Sequence, residues 1–126
     1  MKSPANVNTA FYQLHQLMGE RLKGSQKTRS NHRRRLKALI NAIYRRTQRG
    51  PMQIKTTDLR RELDRALREK GQADAVELFT SVYQLACLRD KQDNWLPFLY
   101  GPWCARPEKG SLPDCLKKER APAASF

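Results

Sequence analysis

Leu36, Leu39, Ile40, Ile43 and Tyr44 recur at i, i+3, i+4, i+7 and i+8, inside a segment rich in Lys and Arg and without a single acid. That spacing gathers apolar side chains onto one stripe only if the segment is an α-helix. The same rotation sends Arg34, Lys37, Asn41, Arg45 and Gln48 to the opposite side. The chain must therefore build a body against one face of this helix and leave the other face to something else. Its start is expected between Ser25 and Ser30, where Ser and Thr can cap, and its end before Arg49–Pro51.

Three further helices follow from the same periodicity. One begins near Asn8 or Thr9, carries Phe11, Leu14, Leu17, Met18 and Leu22 on one side, and stops at Gly24. Another is capped by Thr57 with help from Asp58, has Leu59, Leu63, Ala66 and Leu67 inside, and closes at Lys70–Gly71. The last, about 73–90, carries two apolar stripes, one through Val76, Phe79, Tyr83 and Ala86, the other through Leu78, Val82 and Leu85. A helix apolar on several faces is a central one, with Phe79 as a core ring. No stretch alternates with period two between turn residues, so no sheet is expected.

Beyond this helix, Pro97, Pro102, Pro107 and Pro113 forbid another long one. Trp95, Phe98, Tyr100 and Trp103 crowd the same stretch. Aromatic rings there can stack unpaired bases, but little positive charge accompanies them, and a cover strapped over the core is the favoured reading. The expected fold is thus all-α: a bundle of about four helices in one domain over residues 1–103. An irregular, Pro-rich tail is expected over 104–126, in which a Cys104–Cys115 bridge stays open.

Charge decides the functional class. The chain of 126 residues carries a formal net charge of +13, a statement about association and not about fold. Twelve Lys or Arg and no acid lie between Arg21 and Thr57, while the remaining thirteen basic residues meet twelve acids. Solvated helix faces usually mix signs to gain pairs one turn apart, as the segment holding Arg60, Arg61, Arg65 and Arg68 does with Glu62, Asp64 and Glu69. The basic helix has no such acid of its own, and a nucleic-acid backbone is the partner that matches it. The candidate contacts are Lys27, Arg29, Arg33, Arg34, Arg35, Lys37, Asn41, Arg45, Arg46, Gln48 and Arg49. Arg forks suit phosphate and guanine, and Asn41 and Gln48 are residue types that read adenine.

Other chemistry finds little footing. Three Cys without a CxxC pair and two scattered His (His15, His32) match no zinc spacing, and no cofactor is called for. No paired carboxylates, Ser–His–Asp arrangement or Gly-rich phosphate loop is visible, so an enzyme is not expected. No run is apolar enough for a membrane span or a signal peptide, and the cysteine usage suits a reducing, cytoplasmic location, at the nucleoid in a bacterium. A simple helix-turn-helix opened by "IKTTDLRREL" fails, because "ADAVELFTSVYQLACL" is too apolar to enter a groove.

The order of parts from about Asn8 to Cys87 resembles the SAM-like core-binding domain of tyrosine recombinases. "KTRSNHRRRLKAL" looks like the helix those domains lay along DNA, and "IKTTDLRREL" like the short element after it. The resemblance implies a bundle of about four helices gripping duplex DNA. The family's catalytic Arg, His and Tyr motif has no match, so it implies an accessory or repressor-like role without recombinase activity. Double-stranded DNA is favoured over RNA. The alternatives are a small helical subunit that supports RNA or a displaced strand, and an adaptor docking an acidic protein. A homodimer or a larger nucleoprotein assembly stays open.

Overall fold

The computed structural model describes residues 4–107; most of the expected tail, with Cys115, lies outside them. Five helices and a 3-10 turn follow in order: α1 (Val7–Met18), α2 (Gln26–Thr47), α3 (Thr56–Glu69), α4 (Gln72–Leu88), α5 (Gln92–Trp95) and the turn Leu96–Phe98. Among the described residues there is no strand, only an isolated bridge in which Gly101 and Cys104 exchange both backbone hydrogen bonds. The architecture is the all-α bundle that the apolar stripes predict, with one short helix more.

Local chemistry sets the helix ends, and it moves some of them from where the sequence reading puts them. Asn6, not Asn8 or Thr9, caps α1: its Oδ1 accepts the Thr9 backbone N–H at 2.9 Å and the Thr9 hydroxyl at 3.1 Å. The helix stops at Gly19, whose φ of +46° favours a residue without Cβ, and does not run on to Gly24. Leu22 is buried all the same, from the connector. Ser25 caps α2 through Thr28 N–H. The α3 helix starts two residues earlier than expected, with Lys55 and not Thr57 at the cap position, and the Asp58 carboxylate reaches back to accept the Lys55 N–H at 3.1 Å.

The core is shared by every element. Leu14 and Met18 of α1, Leu36, Ile40 and Ile43 of α2, Leu59 and Leu63 of α3, and Phe79, Val82 and Leu85 of α4 are all buried together. The α4 helix is the central one, packed by α3 and α2, and α1 lies along α2. Its centrality explains why its polar residues Ser81 and Gln84 are buried and bonded: Gln84 clasps the backbone of Lys23 through both its amide atoms. His32 continues the inner stripe of α2, as expected, and its Nδ1 lies 2.8 Å from Ser81 Oγ.

The aromatic segment divides. Trp95 and Trp103 are buried, and Tyr100 packs on Phe79 with ring centroids 5.6 Å apart. The Trp103 indole N–H donates to Leu99 O at 2.8 Å, which satisfies the one polar atom of a ring buried for its area. These three cover the core. Phe98 does not, and stands 66% exposed.

Candidate nucleic-acid interface

The candidate surface is built on α2 because it is the long helix, with 22 residues, and only its inner stripe is needed by the core. At 1.5 Å per residue, Lys27 to Arg45 spans about 27 Å. Along that length Lys27, Arg34, Lys37 and Arg45 are exposed, with Arg29, Arg33 and Asn41 partly so. No acid lies within ion-pair distance of any of these cations among the described residues. Their contacts are short-range and neutral: Arg34 to Asn31 Oδ1 at 3.5 Å, Arg45 Nε–H to Asn41 Oδ1 at 3.3 Å, and Arg33 to Gly19 O at 3.4 Å. Lys37 stands with Nζ 5.0 Å from the centre of the Phe11 ring, which fixes the edge of the face against α1.

Three other candidates are held differently. Arg35 spans to α4, donating to Ser81 Oγ at 3.1 Å and to Glu77 O at 3.3 Å, with the Glu77 carboxylate at 3.6 Å. Arg46 reaches Glu62 of α3 at 2.9 Å, and Arg65 takes the other oxygen of the same carboxylate at 2.7 Å. Arg49 grips Asp58 with both arms of its fork, Nε at 2.9 Å and NH2 at 2.8 Å. Glu62 and Asp58 are buried, and a buried carboxylate must be paired to stay charged. These three arginines therefore fasten α2 to α3 and α4.

The Asp58 carboxyl shows how strong the fastening is. Burial by itself pushes the group up. The hydrogen bonds from Arg49 and from Lys55 N–H, with the charges of Arg49 and Arg46, outweigh that and hold it below its ordinary range.

The sequence could not disclose these pairings, because the acids arrive from other helices. An acid-free run in sequence is not an acid-free environment in space. The one readable hint is Glu62, which falls on the flank of the α3 stripe between Leu59 and Leu63. Gln48 also differs from expectation. It stands beyond the last turn of α2 in the left-handed region, φ +60°, and its N–H caps Tyr44 O. It closes the helix and does not share the outer face of Asn41.

The free face has a boundary. Between α2, α3 and α4 lies a groove of about 220 Å³ in which Arg34, Arg35 and Arg65 alternate with Glu62, Glu69 and Glu77. Mixed signs there would repel phosphates as much as attract them, so the uniformly positive surface is the solvent side of α2 and the turn before it. Among the described residues no helix is long and apolar enough to cross a membrane, and no group of three His, Cys, Asp or Glu could hold a metal ion. No family model, curated protein or solved structure matches the chain.

Proposed function

We propose that this protein binds nucleic acid, double-stranded DNA in preference to RNA, by laying the outer face of α2 against it. The role is one of binding and not of catalysis. The observation that carries the reading is the contrast along α2 and the residues that close it. Acids from α3 and α4 take up Arg35, Arg46 and Arg49, while Lys27, Arg29, Arg33, Arg34, Lys37 and Arg45 have none within ion-pair distance among the described residues. A fold that pairs its structural arginines and turns Lys27, Arg34, Lys37 and Arg45 outward, with Arg33 and the half-buried Arg29 at the margin, presents a ligand for a polyanion.

A single straight helix about 10–12 Å across fits a major groove about 12 Å wide or lies along a backbone. Counterion release supplies the affinity, and Asn41 with the Arg forks supplies any base preference. The layout that resembles recombinase core-binding domains leans the same way, toward a duplex.

Replacing Arg34, Lys37 and Arg45 together by Glu tests the proposal. Duplex binding, followed by fluorescence anisotropy, is lost, while the circular dichroism spectrum stays as in the parent and the melting temperature does not fall. Binding that survives the triple change overturns the assignment of this face. Competition with a structured RNA and with an acidic protein separates the duplex reading from the RNA and adaptor alternatives.

A further inference from the structure

On the side of α3 turned away from α2, Thr57, Arg60, Arg61, Asp64 and Arg68 line an open hollow of about 490 Å³ together with Phe98. Its charge is sorted in the same way as that of α2. Asp64 pairs with Arg60 at 3.5 Å, and no acid reaches Arg61 or Arg68 within ion-pair distance among the described residues.

Arg60 serves the Phe98 segment and not the hollow. It donates to Tyr100 O at 2.7 Å and to Phe98 O at 3.5 Å, and lies 4.8 Å from the centre of the Trp103 ring. Phe98 ends the turn Leu96–Phe98, just after Pro97, and its neighbours Leu96 and Leu99 are both buried. The backbone under Phe98 is thus anchored on both sides. The ring is held outward at 66% exposure by a segment that buries Trp95 and Trp103 and half-buries Tyr100.

We propose that this hollow is a subsite for an unpaired nucleotide of single-stranded nucleic acid, its base stacked on Phe98 and its phosphates met by Arg61 and Arg68. An anchored aromatic face beside arginines that no acid pairs among the described residues is the combination that single-strand grooves use, since every base offers a π-face and the backbone supplies the charge. The inference rests on nucleic acid being the ligand. It concerns a second surface, separated from the outer face of α2 by α3, and it gives the protein a contact with a frayed or displaced strand beside its duplex.

The probe is a labelled oligothymidylate, compared by anisotropy with an abasic strand of equal length that keeps sugar and phosphate. The parent protein binds the thymidylate more tightly than the abasic strand. Phe98→Ala weakens thymidylate binding about tenfold and closes the gap between the two strands. Phe98→Leu, which keeps an apolar side chain, behaves like Phe98→Ala, and Phe98→Trp keeps the gap open. Arg61→Gln with Arg68→Gln weakens both strands alike. Equal binding of both strands by the parent, or a gap that persists in Phe98→Ala, overturns the proposal. The α2 triple Glu variant tells the two sites apart: it abolishes duplex binding but leaves the thymidylate-to-abasic ratio unchanged. If duplex binding survives that variant while the ratio still depends on Phe98, the α2 reading fails and this one stands.

Discussion

The division of the α2 cations into fastened and free has a number attached. Each phosphate neutralised on B-form DNA contributes about −0.9 to the slope of log K against log salt. If Lys27, Arg29, Arg33, Arg34, Lys37 and Arg45 engage, the slope is roughly −5, and affinity falls about a thousandfold between about 50 and 200 mM salt. Replacing Arg34, Lys37 and Arg45 by Gln removes charge without reversing it. The slope then shortens to roughly −3, and the same salt interval costs only about fortyfold. Replacing Arg35 and Arg46 by Gln instead leaves the slope at its parent value, because their charges are directed at Glu77 and Glu62. That variant melts at a lower temperature, since Glu62 keeps only Arg65. Anisotropy titrations of one duplex at four or five salt concentrations measure all three slopes, and thermal melts accompany them. A parent slope near −8 would mean that the fastened arginines also release counterions, and the division would be wrong. A slope unchanged by the outward Gln variant would refute it from the other side.

Three further outcomes follow from the packing. Phe79→Ala removes a fully buried ring from the central helix and costs on the order of 3–5 kcal/mol, lowering the melting temperature by on the order of 20 °C; a soluble variant with a parental melt would overturn its place in the core. Gln48→Gly relieves a left-handed residue and stabilises by about 1 kcal/mol in urea unfolding, with duplex affinity unchanged, whereas a loss of base preference would return Gln48 to the interface. Asp58→Asn destabilises most above about pH 5. Because the folded carboxyl is held below its ordinary value of about 3.9, its contribution is present above that value and is lost as pH falls through the lower folded one. Urea midpoints of parent and variant therefore converge below about pH 4, and a constant difference down to pH 3 would remove the Arg49 pairing as the cause.

What the sequence made legible was whatever depends on a single helix. The stripe Leu36, Leu39, Ile40, Ile43 repeats with the helical period, so both the element and its inward side could be read. His32 could be placed because it extends that stripe by one turn. The two stripes of α4 declared its central position, and Phe79 with it. What stayed hidden depends on how helices meet. Ser81 is an ordinary serine until α4 crosses α2 and sets it beside His32 and Arg35. Glu62 looks like a solvated helix acid and Asp58 like no more than a helper at the cap until α3 turns them toward Arg46 and Arg49. Helix ends misled for a related reason. Several capping residues stood near each start: Asn6 prevails over Asn8 because its Oδ1 takes both Thr9 donors, and Gly19 over Gly24 because the connector turns there and brings Leu22 into the core. The short α5 is a single turn, too brief for any periodicity to announce it.

The acid-free face of α2 has a consequence for the protein alone. Arg29 and Arg33, Arg33 and Lys37, and Arg34 and Lys37 stand one turn apart with like charge, and each such pair opposes the helix by a few tenths of a kcal/mol. The unliganded fold is thus under a lateral electrostatic pressure, which dissolved ions relieve by screening. Salt then acts on the two halves of the equilibrium with opposite sign: it raises the melting temperature of the free protein while it loosens the complex. A bound polyanion does the screening more completely than dissolved ions can, so the helix is at its most stable when its outer face is occupied.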